Sequence, residues 1–107
     1  MELFNLLKTK DINAGVKSFR ATKDAILLDV RTAEEYADGH IEGSRNLPLQ
    51  NIGQAAAVIA DQSTPLFVHC RSGGRSAAAT AELKRIGYTN VNDIGGIMSY
   101  NGKVVKE

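Results

Sequence analysis

Two short apolar runs without polar alternation constrain this chain more than any other feature. Ala25-Ile-Leu-Leu-Asp-Val30 and Leu66-Phe-Val-His69 are strand-length segments rich in aliphatic side chains. A strand with one wet face alternates apolar and polar residues. An unbroken run is what a strand covered on both faces requires. Strands of that kind lie in parallel sheets, and parallel neighbours must be joined by crossovers, usually helices. The stretches between the runs fit that role, so the chain reads as α/β.

The segments fall into order on this basis. Asn13 to Ala21 is expected to form a short helix capped by Asn13, with Val16 and Phe19 facing inward. Ala25 to Val30 is the first strand. Thr32 stands three residues before Glu35, a capping-box spacing that opens a short helix through Tyr36. Gly39-His-Ile-Glu-Gly43 is turn material, followed by an extended Ser44-Arg-Asn-Leu47 that Pro48 stops. Asn51 to Ala60 is alanine-rich and reads as a helix. After the central strand that follows Pro65, Arg75 to Ile86 is strongly helical, and Gly87 stands where a left-handed cap belongs. Asn90 to Ile94 is expected as a last strand, with Gly95-Gly96 turning into a short helix near Tyr100. In all, four or five strands and about five helices are expected.

Length and charge narrow the classes. At 107 residues the chain fits a single domain, 1–107. Thirteen basic against twelve acidic side chains leave a net charge of +1. That balance offers no general attraction to nucleic acid or an anionic membrane, and neither is expected as a partner. No apolar stretch approaches a membrane span. Met1 to Lys8 lacks the basic segment and long apolar run of a secretory leader, so a cytoplasmic location is expected. With one cysteine and two histidines, neither an internal disulfide nor a metal site is expected.

The chemistry concentrates in His69-Cys70-Arg71-Ser72-Gly73-Gly74-Arg75-Ser76, between a buried strand and a helix. Ligands of parallel sheets bind beyond the carboxyl ends of the strands. A glycine-rich loop entering a helix can also aim several amides at one anion. Gly73 and Gly74 allow the tight curvature. Arg75 opposes the helix dipole, which costs roughly 0.3–1 kcal/mol, and Arg71 adds a second cation. Such a conflict suggests a loop anion that offsets it: the Cys70 thiolate, an anionic substrate, or both. An ordinary thiol, with a pKa of about 8.5, is only a few per cent ionised at neutral pH. Two guanidinium groups and a helix dipole together have the strength to make thiolate common. Cys70 as a small buried hydrophobe and the loop as a plain phosphate nest are the competing readings. Ser72 and Ser76 read equally as loop donors or cap residues. Asp29, Arg31 and Glu35 read as an acid–base set or as pins of the strand–helix corner, His40 as fixing the Gly39–Gly43 turn, and His69 as a strand residue.

Asp29-Val-Arg-Thr-Ala-Glu-Glu-Tyr36, Gly39-His-Ile-Glu-Gly43, Asn46-Leu-Pro48, the cysteine loop and Gly95-Gly96 occur in an order that resembles rhodanese-like domains. The likeness extends from about Asp11 to Tyr100. It implies a three-layer α/β fold: a mostly parallel, five-stranded sheet with helices on both faces and loop amides pointing at the cysteine sulfur. Phosphatase and arsenate-reductase relatives resemble Cys-x5-Arg; here Cys70-x4-Arg75 gives a tighter, six-residue loop suited to one sulfur atom. Similar domains often carry tryptophan where this chain has Tyr100, which keeps an aromatic for packing. The resemblance implies a sulfurtransferase with Cys70 as nucleophile and Arg71, Ser72, Gly73, Gly74, Arg75 and Ser76 as the binding loop. It implies a small anionic donor such as thiosulfate, an acceptor that is cyanide, a thiol or a thioredoxin-like protein, and no cofactor. A protein-to-protein persulfide relay and, less favoured by the short loop, a phosphatase or arsenate reductase are the alternatives.

Overall fold

The computed structural model describes residues 10–107; the opening segment Met1 to Lys8 lies outside the described residues. Helix α1 spans Ile12–Ala21, and β1 spans Ile26–Asp29. Asp11, not Asn13, caps α1: its carboxylate accepts the amides of Asn13 at 3.0 Å and Ala14 at 3.3 Å. Both residues are good caps by type. Starting one residue earlier buries Ile12 beside Val16, and that decides the register. Asn13 has another task. Its side chain donates to the Ser99 carbonyl at 2.9 Å and accepts the Asn101 amide at 2.8 Å, tying α1 to the segment after the last sheet strand.

Helix α2 (Ala33–Asp38) opens with the Thr32–Glu35 capping box that its sequence spacing predicts. Two-residue strands β2 (His40–Ile41) and β3 (Arg45–Asn46) follow. His40 accounts for the intervening corner, stacking on Tyr36 with ring centroids 3.7 Å apart and placing Nδ1 2.7 Å from the Tyr36 carbonyl. The alanine-rich segment expected as an α-helix over Asn51 to Ala60 is instead a 3-10 helix, Leu49–Ala57, broken at Gln54. Gly53 weakens an α-helix there by about 1 kcal/mol relative to alanine. The shorter turns still bury Ile52 and Ala55.

Strand β4 (Leu66–Cys70), helix α3 (Gly74–Arg85) and β5 (Val91–Gly96) complete the core. A 3-10 turn at Ile97–Ser99 and the short β6 (Val104–Val105) follow. Helix α3 stops as expected at Gly87, whose φ is +119°. The Tyr88 amide reaches back to the Leu83 carbonyl at 3.0 Å and the Gly87 amide to Lys84 at 3.2 Å, a Schellman ending.

All pairings in the order β3-β1-β4-β5 are parallel. The expected five-stranded sheet thus has four strands among the described residues. A separate antiparallel pair joins β2 to β6, which no sequence signal announced.

Side-chain alternation divides the core into two layers. Leu28, Val30, Leu66, Val68 and Cys70 pack with Ile52, Ala55, Ala79 and Leu83 from the 3-10 helix and α3. Leu27 and Phe67 pack with Ile12 and Val16 of α1 on the other face. Both faces of β1 and β4 are therefore covered, which is why their sequences do not alternate. Tyr100 packs against the α1 layer, as the kept aromatic implied. Asp29, fully buried in β1, is answered by Arg31, whose Nε and Nη2 reach its two oxygens at 2.7–3.1 Å. No described helix is long and apolar enough to cross a membrane.

Candidate active site

Strand β4 ends on Cys70, which puts the sulfur at the carboxyl edge of the sheet, under the start of α3. The chain leaves through Arg71 and Ser72, both exposed, and turns at Gly73, whose φ of +111° suits glycine alone. This turn aims the Gly73 amide at Cys70 Sγ, 3.0 Å away. Gly73 is also the N-cap of α3, so the helix has no side-chain cap, and the Ser76 amide of its first turn serves the sulfur.

Burial pushes the Cys70 thiol up, but hydrogen bonds outweigh it. The Ser76 amide and hydroxyl, with the Gly73 and Ser72 amides, hold the pKa below the ordinary thiol value. The leading causes of the lowering are loop hydrogen bonds. Sequence reasoning assigned that work to the guanidinium groups and the helix dipole; the Ser76 amide, in the first turn of α3, keeps the helix N-terminus in that role, while no arginine is among the leading causes.

Arg75 shows why. Its guanidinium forms a two-pronged pair with Glu35, Nη1–Oε1 at 2.7 Å and Nη2–Oε2 at 3.1 Å. The cation in the first turn of α3 is offset by a carboxylate from the first turn of α2, not chiefly by an anion in the loop. Glu35 therefore has two roles, since it also accepts the Thr32 amide at 2.9 Å. The sequence signal was an unexplained acid near one helix start and an unexplained cation at another. Nothing in forty residues of separation says that they meet.

The Arg75 guanidinium brings Glu35 down from 4.5 to about 2, against the opposing effect of burial. A depressed carboxyl stabilises the fold above its unfolded pKa, and that contribution is lost as pH falls through the folded value. Glu35→Gln keeps the capping box but removes the charge. It should cost about 1 kcal/mol near neutral pH, a value discounted for partial solvent exposure. The gap between the two proteins should stay constant above pH 4.5 and close between 4.5 and about 2. Thermal melts across that range check this, and a gap that ignores pH would refute the pair's role.

Strand β5 closes the other side of the loop. Its pairing with β4 shifts between Val68 and His69, a bulge that sets Gly95 opposite His69 and Gly96 opposite Cys70. The Met98 amide then donates to the Arg71 carbonyl at 3.1 Å. Ser76, in the first turn of α3, is fully buried, and its hydroxyl lies 2.8 Å from Asp93 Oδ1 and 3.1 Å from the Gly73 carbonyl; the N-cap is Gly73, not this serine. Gly74 is the first residue of α3, with open space where a side chain would stand. Arg71, Ser72 and Gly73 line an open cleft of about 600 Å³, whose far wall includes Lys10, Asp93 and Met98. Sequence reasoning did not find Lys10, Asp93 or Met98.

His69 is fully buried on the opposite side of β4 from the sulfur. Burial lowers its pKa, and Nδ1 lies 3.1 Å from the Cys70 carbonyl. It is a strand residue, as read. Among the described residues no group of three or more His, Cys, Asp or Glu side chains could hold a metal ion.

Residues 13–103 match the family model described as the Rhodanese-like domain. An adenylyltransferase and sulfurtransferase, uba4, of Ogataea parapolymorpha is 33% identical over 94% of this chain. The chain spans only 26% of that protein's length. The thiosulfate sulfurtransferase PspE of Escherichia coli is 34% identical, over 65% of this chain and 68% of its own. Among solved structures, one described as a rhodanese with anions from E. coli superposes with a TM-score of 0.72 and 31% identity. That match covers 78% of this chain and 99% of the other.

Proposed function

Because the chain belongs to the rhodanese-like domain family, we propose that it is a sulfurtransferase that carries sulfane sulfur as a persulfide on Cys70. The observation that carries this reading is the cradle itself: the Gly73 amide of the six-residue loop stands 3.0 Å from a single sulfur, supported by the amides of Ser72 in the loop and of Ser76 in the helix turn that follows it. Such a cradle stabilises negative charge on one atom. The relatives named as sulfurtransferases support it.

The reaction runs in two displacements. In the first, the Cys70 thiolate attacks the outer sulfur of an anionic donor such as thiosulfate. A Cys70–sulfur bond forms, and the donor's sulfur–sulfur bond breaks with its electron pair leaving on sulfite. In the second, cyanide, a thiolate or a thioredoxin-like protein attacks the terminal sulfur, and Cys70 departs as thiolate. No metal or organic cofactor is required. Arg71 at the cleft attracts the anionic donor. Ser72, Gly73 and Ser76 hold the sulfur, and Gly74 begins the helix. Arg75, tied to Glu35, fixes the loop's far end. The whole chain serves as one domain acting in the cytoplasm.

The six-residue loop favours this chemistry over phosphate or arsenate chemistry. Thiosulfate:cyanide turnover measured beside aryl phosphate hydrolysis tests the choice. Sulfur transfer with negligible phosphate hydrolysis is expected. The opposite pattern would overturn the reading.

A further inference from the structure

The cleft beside the cysteine loop is walled by segments far apart in the chain. Among the described residues that line it, Lys10 and Arg71 are the only cations and Asp93 the only carboxylate. Arg71 follows Cys70 directly, and its carbonyl accepts the Met98 amide at 3.1 Å. Lys10 comes from just before α1, and its stem rests on β5. A Cβ built on Gly95 would stand 3.3 Å from Lys10 Cβ and 3.7 Å from its carbonyl oxygen. Gly95 has a φ of +100° and pairs opposite His69, next to the Gly96 that faces Cys70. Asn13 fastens the same segment to Ser99 and Asn101. The lysine therefore enters the cleft from a fixed root, on a different wall from Arg71.

Neither cation is committed elsewhere. Lys10 Nζ stands 4.0 Å from Asp93 Oδ2, with the two side chains 56% and 9% exposed. A pair that long and that wet is weak, so a substrate anion competes for the lysine. Asp93 itself is held by its other oxygen, which accepts the Ser76 hydroxyl at 2.8 Å and the Gly95 amide at 3.1 Å. Arg71 is exposed. Arg75 differs from both, since its guanidinium is paired with Glu35 and does not line this cleft.

We propose that Lys10 and Arg71 are the two arms of an anion clamp across this cleft, and that Lys10 sets the preference for a doubly charged sulfur donor over a singly charged one. This rests on Cys70 being the sulfur-carrying nucleophile. Two cations against one carboxylate leave the cleft positive in a chain that is otherwise nearly neutral, so the attraction is local to the loop. A dianion such as thiosulfate engages both arms, while a monoanion engages one. The lysine takes no part in making or breaking bonds, so its effect belongs to binding.

The test is sulfur transfer to cyanide at low ionic strength in the parent, Lys10→Gln and Lys10→Arg, with thiosulfate and with methanethiosulfonate, a singly charged donor. Lys10→Gln should raise the thiosulfate KM about fivefold with little change in kcat, the size of effect that one exposed charge supplies. Lys10→Arg should recover most of the loss, and high salt should erase the difference from the parent. The methanethiosulfonate KM should rise less than half as much. Cys70 alkylation by iodoacetamide, which is neutral, should keep its rate. An unchanged thiosulfate KM, or equal rises for the two donors, would overturn the proposal. So would a matching fall in alkylation, which would mean that the lysine shapes the loop. Thiosulfate binding to Cys70→Ser, followed by NMR titration with and without Lys10→Gln, repeats the comparison without turnover. Its Kd should rise about fivefold, and an unchanged Kd would overturn the clamp. A parent that binds thiosulfate through Lys10 yet passes no sulfur would sink the sulfur-transfer reading and leave the clamp standing.

Discussion

Cys70→Ser is expected to abolish sulfur transfer while leaving the fold intact. The sulfur is buried at the end of β4, and its neighbours are donors. A serine hydroxyl is nearly isosteric and can accept the Gly73 amide in its place, so the melting temperature should change little. The chemistry cannot be replaced. A serine hydroxyl is not ionised at neutral pH, and oxygen cannot form a persulfide that passes sulfur onward. Turnover from thiosulfate to cyanide should fall at least about a thousandfold, equivalent to ~4 kcal/mol of transition-state stabilisation. Near-normal turnover in a well-folded serine variant would remove Cys70 from the mechanism.

The second large effect is expected at a residue that touches no substrate. Gly96 has φ −121° and ψ 139°, an extended conformation open to any residue, so alanine meets no backbone strain there. The obstacle is space. A Cβ on Gly96 would stand 2.7 Å from Ser72 Cα and closer still to the Arg71 carbonyl oxygen. Both are backbone atoms of the sulfur cradle, so relief must come from moving the loop away from β5. That movement also breaks the Met98–Arg71 hydrogen bond. Gly96→Ala should cost about 1–3 kcal/mol, as overpacking does. It should also lower turnover at least about tenfold, because the amides no longer converge on the sulfur. A melt and a thiosulfate:cyanide assay on one preparation check both. Normal turnover with a lowered melting temperature would show that the cradle tolerates displacement.

The sequence carried the fold where local chemistry and packing agree. Unbroken aliphatic runs marked β1 and β4 because both faces of each strand are covered. Thr32–Glu35 and Gly87 marked helix ends because their hydrogen bonds are local. The cysteine loop was legible for the same reason: strand, glycines and helix are adjacent in the chain.

What sequence reasoning missed depends on distance or on competition between equals. Asp11 and Asn13 are both good caps, and only the burial of Ile12 chooses between them. The strand at Val104–Val105 is two residues long, too short for any periodicity. Glu35 with Arg75 and Asp93 with Ser76 are side-chain meetings across the fold. The first reassigns a charge that sequence reasoning directed at the sulfur. Cys70 is the centre of both readings, but its cradle is built from amides and a serine rather than from arginines.

Intact-protein mass after incubation with thiosulfate and removal of excess donor tests the central claim most directly. The parent should gain the mass of one sulfur atom, localised to the peptide that contains Cys70 and lost on addition of cyanide. Cys70→Ser should gain nothing. A parent whose mass stays unchanged while Cys70 remains free to alkylate would contradict sulfur transfer from this donor through that cysteine. So would an equal gain in the serine variant.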